Sequence, residues 1–208
     1  MNLTDEKINA NKVRFIQILS EIKVDRPNAK IDDLIRKLES SDFFTAPASA
    51  KYHANCKGGL CQHSLNVYDT LVRISERYDF NKISLIIVGL LHDLSKMNMY
   101  ETAYRNKKVY HDCGSKRDEN GTFDWVSEKS YAIIPDEQRF IYGSHEETSE
   151  FMVRTFIPLT IEESMAILYH HGGKGWDSSS AASMVLGRCD LAVLLHCADL
   201  MSSYTMER

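Results

Sequence analysis

Cysteine is scarce and unpaired in this chain of 208 residues: the five present (Cys56, Cys61, Cys113, Cys189 and Cys197) form no CxxC pair. An odd number without that spacing argues against a disulfide framework or a zinc knuckle and predicts reduced thiols. Also missing is any apolar run near the roughly 18–20 residues needed to span a bilayer, and no charged-then-apolar leader opens the sequence. The expectation is a cytoplasmic protein with no membrane partner. Basic residues are scattered and the net charge is −4, so the electrostatic footprint of a duplex-binding protein is absent. A small anionic substrate held through a metal remains compatible with that balance. There is no internal repeat, and the one low-complexity tract is DSSSAAS at 177–183.

What the chain does have is helical grammar. With 43% hydrophobic and 26% charged residues it is long enough to bury one substantial core. Apolar spacing predicts helices over 5–22, with Val13, Ile16, Ile18 and Leu19, and over 29–39, with Ile31, Leu34, Ile35 and Leu38. A GGL break at 58–60 introduces an amphipathic helix on which Leu60, Val67, Leu71 and Ile74 recur; His63 and Ser64 share that stripe. The next helix, about 82–97, contains ISLIIVGLL and is apolar nearly all round, as a central buried helix should be, yet it ends in LLHDLSK (90–96). From about 100 to 143 the sequence turns Tyr-rich and charged, with DENG at 118–121, and reads as a β-hairpin or a loose flap. SHEE (144–147) and TIEE (160–163) are capping boxes that open two more helices, in which Glu147 has a capping role. The second helix runs to LYHH and stops at Gly172-Gly173. A final helix over 188–206 places Leu191, Leu195, Asp199 and Ser202 on one face.

Several polar residues fall where this grammar expects apolar ones. They are His63, the doublet His92-Asp93, His145, His170 with His171, and Asp199. Any one alone reads most simply as a satisfied core or capping residue. Five helices each delivering an imidazole or a carboxylate to one centre is a different matter, because each buried ionisable group costs roughly several kcal/mol unless paired or metal-bound. A shared divalent cation is the natural partner, and a mixed imidazole and carboxylate set suits Mn, Fe, Co, Ni or Zn better than Mg.

The motifs GGLCQHS, LLHDLSK, GSHEE, ILYHHG and LLHCADL, together spanning about residues 50–206, resemble those of the HD superfamily of metal-dependent phosphohydrolases, named for its His-Asp doublet. The likeness extends to stand-alone bacterial and phage HD domain hydrolases and to the HD domain of some 3'-5' exoribonucleases. It implies an all-α HD-domain helical bundle over 46–208, with the small insertion at about 100–143, and N-terminal helices in 1–45 packed on it. It also implies that His63, His92, Asp93 and Asp199 hold a first divalent ion, and that His145 and His170 hold a second with Asp93 between the two. His170 is preferred over its neighbour His171, which could instead cap a carbonyl or contact substrate. Lys96 matches a family lysine that approaches the phosphate, against a plain reading as a solvated helix-end lysine. Glu146 is a candidate partner of His145, His53 a candidate substrate contact or packing residue, and His196 a packing or supporting residue. Tyr100, Tyr104, Tyr110 and Trp125 either anchor the insertion or stack on a base.

The activity implied is hydrolysis of a phosphomonoester or phosphodiester, with a nucleotide as the expected small phosphorylated substrate, by a metal-activated water with Asp93 and Lys96 at the reacting centre. Two other readings stay open: exonuclease-like cleavage of short single-stranded nucleic acid, and a non-catalytic nucleotide-binding module.

Overall fold

The computed structural model describes residues 2–140, 143–172 and 181–207. In chain order it contains α1 (Asp5–Ser20), α2 (Ile22–Asp25), α3 (Ile31–Glu39), α4 (Gly59–Ile74) and α5 (Lys82–Leu91), followed by a 3₁₀ turn at Leu94–Lys96. Three strands come next, β1 (Tyr100–Tyr110), β2 (Lys116–Asp118) and β3 (Gly121–Ile133), and a second 3₁₀ turn at Asp136–Gln138. The chain ends in α6 (His145–Phe156), α7 (Ile161–Leu168), α8 (Ala181–Leu186) and α9 (Asp190–Met201), which passes into a π-helical turn at Ser202–Met206.

Local chemistry accounts for the helix starts. Thr4 caps α1 by accepting from Lys7 N, and Asn81 caps α5 by accepting from Ile83 N at 2.7 Å. Ser144 with Glu147, and Thr160 with Glu163, form the two reciprocal capping boxes that the sequence shows. The buried residues then knit one core: Phe15, Leu19 and Ile22 of the N-terminal helices belong to the same apolar cluster as Leu60, Leu65, Ile86, Ile87 and Leu195. A buried ion pair ties that assembly together. Glu163 receives Arg26 at 2.6 Å, and Ser84 donates to the same carboxylate at 2.7 Å, so α7, α5 and the end of α2 meet at one point.

Mostly helical architecture agrees with the expected class, but the insertion is an ordered sheet. Strands β1 and β3 pair antiparallel from Tyr100 opposite Ile133 to Tyr110 opposite Phe123, and β2 adds to the far side of β3, giving the order β1-β3-β2. Three helices of the sequence reading are subdivided, while α4 runs unbroken from Gly59 to Ile74. The first breaks at Glu21, and the one expected over 82–97 leaves the α path at Leu91. There the ladder tightens to i to i+3 bonds, Lys96 N to Asp93 O and Met97 N to Leu94 O. Side chains three apart are nearly eclipsed in such a turn, which brings Lys96 over Asp93. The last helix is α-helical only from Asp190 to Met201, and α8 replaces part of the loop expected before it. Gly172 has φ 76°, as a left-handed helix stop requires, while Gly173 and the serines of the tract up to Ser180 lie outside the described residues. No described helix is long and apolar enough to cross a membrane.

Two close approaches set where the helices sit. A Cβ on Gly59 would lie 2.0 Å from Ala54 O, so only glycine permits α4 to begin against that loop. A Cβ on Gly89 would lie 2.9 Å from Tyr68 Cα, which fixes how tightly α5 packs on α4. Gly89→Ala is expected to lower stability despite the roughly 1 kcal/mol of helix propensity that alanine returns. Overpacking against backbone typically costs about 1–3 kcal/mol. Chemical denaturation measures it, and an unchanged or raised midpoint would show that the two helices separate freely.

Candidate metal centre

The polar residues singled out in the sequence converge. His63 on α4, His92 and Asp93 at the end of α5, and His170 just past α7 are at most 1% exposed, and Asp199 on α9 is 7% exposed. His145, the first residue of α6, completes the group with a side chain 28% exposed. Asp93 sits at the middle, and its two oxygens face different neighbours. Oδ2 lies 3.4 Å from His63 Nε2 and 3.5 Å from His92 Nε2, and His63 Nε2 in turn lies 3.2 Å from Asp199 Oδ1. Oδ1 lies 3.7 Å from both His145 Nε2 and His170 Nε2.

Three of these four imidazoles are oriented by a hydrogen bond from Nδ1 to a protein acceptor, and the fourth, His145, has a carboxylate at ion-pair distance. His92 meets Gly89 O at 3.1 Å, His170 meets Ile167 O at 2.7 Å, His63 meets Glu207 Oε2 at 3.0 Å, and His145 meets Glu146 Oε2 at 3.1 Å. With Nδ1 so engaged, Nε2 is the nitrogen left to a metal and faces inward, the arrangement of metal-ligating histidine. Among the described residues, His145 Nε2, His170 Nε2 and Asp93 Oδ1 are buried and make no hydrogen bond. Orphaned acceptors of this kind are expensive in a dry interior and point to an unfilled need for a cation. Three sets of residues (His63, His92 and Asp199; His92, Asp93 and His170; His145, His170 and His171) each bring possible ligand atoms within 4.8 Å of one another. Separations of 3.2–3.5 Å on the Oδ2 side match the edges of a ligand shell whose members lie roughly 2.0 Å from a common ion. The residues present therefore fit a divalent metal, and the Oδ1 side fits a second.

Electrostatics follows from burial and mutual pairing. Burial pushes the Asp93 carboxyl up, but Lys96 and the surrounding imidazoles outweigh it and hold the group well below its ordinary range. Asp199 behaves alike, burial being outweighed by His171 and His63. Burial lowers His63, yet Asp199, Asp93 and Glu207 bring it well above the usual imidazole value. Burial lowers His92, and it takes His145 down to about 4. Lys96, 8% exposed, stays cationic because Asp93 and Tyr100 overcome its desolvation; its Nζ is 2.7 Å from Asp93 Oδ2 as an ion pair. It is therefore not the solvated helix-end lysine of the plain reading.

The remaining candidates separate. His171 is not turned to Asp93: its Nδ1 meets Glu146 Oε1 at 3.0 Å and its Nε2 meets Asp199 Oδ2 at 3.3 Å. Those two carboxylates overcome desolvation and hold His171 up at about 9, while the pairing pulls Glu146 down. The His53 ring lies tilted, 4.9 Å from the His63 ring, its Nε2 buried without a hydrogen bond, and burial lowers it to about 4. His196 holds the His170 carbonyl at 2.6 Å. A cavity of about 410 Å³ opens beside these residues, lined by Tyr52, His53, His171, Asp199 and Tyr204 among others. The insertion aromatics are not part of that lining. Tyr100 bonds Ala48 O, Tyr110 bonds Asp118, Trp125 packs edge-on against Phe123, and Tyr104 is 72% exposed. Two residues were missed in the sequence, Glu207 and Asn66, because neither lies in a motif nor breaks a hydrophobic pattern in a way that marks it.

Comparison with curated proteins and with solved structures returned no match. A sequence model of the HD domain matches residues 60–202, which contain every one of the six inward-facing groups. The chain belongs to the HD domain family, within the HD superfamily of metal-dependent phosphohydrolases.

Proposed function

We propose that the chain hydrolyses a phosphomonoester or phosphodiester of a nucleotide at a dinuclear centre, with His63, His92, Asp93 and Asp199 holding one ion and His145 and His170 sharing Asp93 with the second. The observation that carries this reading is the division of Asp93 between two donor sets, with Oδ1, His145 Nε2 and His170 Nε2 all buried and without hydrogen bonds. Bound divalent ions would supply Lewis acidity toward a phosphoryl oxygen and lower the pKa of a coordinated water from about 15.7 toward neutrality.

The chain's own residues do the rest. Asp93 and Asp199 place negative charge where the cations would sit, and the Nδ1 acceptors keep the His63, His92 and His170 rings from rotating. Lys96 stays charged within reach of Asp93 and offers positive charge to a phosphate oxygen arriving there. The cavity of about 410 Å³, with Tyr52 and Tyr204 on its walls, has the size and the partly aromatic lining of a small-ligand site and supports a nucleotide over a bare phosphate.

Four measurements test this reading. A panel of nucleotides, cyclic nucleotides and short oligonucleotides with Mn, Co, Ni and Mg should show cation-dependent release of phosphate or nucleoside, and Asp93→Ala should lose both the turnover and the bound metal. Full metal occupancy in folded Asp93→Ala would sink the assignment, and one equivalent or less in fully loaded wild type would remove the second site. Lys96→Met is expected to lower kcat/KM about 10²-fold, in the range of losing one charge-stabilising donor; unchanged kinetics would return Lys96 to a packing role. Because His63 carries a raised pKa in the metal-free protein, an ion that takes Nε2 must displace a proton. Affinity should therefore rise with pH, and calorimetric heats at pH 7 should differ between buffers of unlike ionisation enthalpy. Identical heats would contradict that linkage.

A further inference from the structure

We infer that Glu207, backed by a line of amides that begins in α1, is the positioning residue that fixes His63 with Nε2 toward the candidate metal centre; this rests on the metal reading above. Glu207 follows the π-helical turn and is 1% exposed. Its oxygens lie 3.0 and 3.2 Å from His63 Nδ1, and Oε1 also accepts from Asn66 Nδ2 at 2.8 Å. A carboxylate can only accept, so both neighbours must donate to it. That single requirement sets the rest of the line. With its Nδ2 given to Glu207, Asn66 turns Oδ1 to Gln62 Nε2 at 2.7 Å, and Gln62 turns Oε1 to Asn11 Nδ2 at 2.8 Å. Every amide donates in the same direction, from α1 through one face of α4 to Glu207.

The consequence at the far end falls on His63. Nδ1 of His63 is committed to Glu207, so Nε2, facing Asp199 Oδ1 and Asp93 Oδ2 at 3.2 and 3.4 Å, is the nitrogen left to a metal that displaces its proton. A buried carboxylate is a costly way merely to fill space, and Asn11 and Asn66, 3% and 8% exposed, are likewise polar groups kept in the interior. Backbone contacts hold the device in place, since Ala54 N donates to Glu207 O at 3.2 Å beside the glycine turn that starts α4. Neither Asn11 nor Glu207 falls within the family match of 60–202. Segments outside the shared domain therefore orient a ligand inside it, and the ligand so treated is the one between both carboxylates of the Oδ2 side.

The test is Zn²⁺ affinity by competition with a chromophoric chelator, alongside the thermal midpoint of the metal-free protein, for wild type, Glu207→Gln and Asn11→Leu. Loss of such a support is expected to weaken metal binding roughly 10–100-fold for Glu207→Gln at a near-unchanged metal-free midpoint. Asn11→Leu should show a smaller loss in the same direction. Wild-type affinity in folded Glu207→Gln overturns the inference. Should Glu207→Gln not hold its fold, ¹⁵N NMR of Zn²⁺-loaded wild type decides: a protonated Nδ1 with a metal-bound Nε2 on His63 supports it, and a metal-bound or bare Nδ1 overturns it. Wild type that takes up no Zn²⁺ instead fails the metal reading itself, a result distinct from intact uptake with unshifted variants.

Discussion

A carboxylate buried as completely as that of Asp93 is the constraint around which this molecule is arranged. Moving such a group out of water costs several kcal/mol even after relaxation, a large share of the 5–15 kcal/mol by which a domain is stable. The structure answers with opposite charge and with apolar mass. Lys96 and a ring of imidazoles hold the group ionised, and the helix that delivers it is built from residues with almost no exposure, among them Ile86, Ile87, Val88, Leu90 and Leu91. The apolar run before the doublet is thus the counterweight that allows the doublet to be where it is.

That helix must also stop at the right place. At about 100° per residue, an α-helix continued through Asp93 would leave Asp93 and Lys96 about 60° apart around the axis, whereas the 3₁₀ turn nearly superimposes them. Close packing on α4, permitted by Gly89, carries His92 to within 3.3 Å of His63. Backbone geometry and glycine placement therefore act on the site through distances of a few tenths of an ångström, and metal ligation is sensitive on that scale.

Much of this was legible in the sequence because its signals are local. Capping boxes at Ser144 and Thr160 are read within four residues, and a histidine or aspartate on an apolar stripe betrays itself by breaking a pattern. His63, Asp93, His145, His170 and Asp199 were found in that way, and the structure brings all of them together. Where the reading failed, the deciding interaction was distant or purely geometric. Nothing in LLHDLSK says that the helix tightens after Leu91. Glu207 lies in a polar stretch where a glutamate is unremarked, and its partner is 144 positions away. The two adjacent histidines differ only in which way the chain turns at the end of α7, so one faces Asp93 while the other bridges Glu146 and Asp199. The register of β1 on β3 likewise depends on side-chain pairings that alternation alone does not specify.

The two sides of Asp93 are unequal, and the inequality has a physical meaning on the proposed reading. The Oδ2 side brings a second carboxylate, Asp199, and rings that are fully enclosed; one of them is braced by Glu207. The Oδ1 side has no second carboxylate facing it among the described residues, and one of its two rings, His145, is 28% exposed at the start of a helix. A site with two anions and rigid donors binds a divalent ion more tightly than one with a single shared anion and a partly open donor. The buried side is then the structural anchor of the centre. The open side, at the partly exposed His145, is then the more weakly held of the two positions.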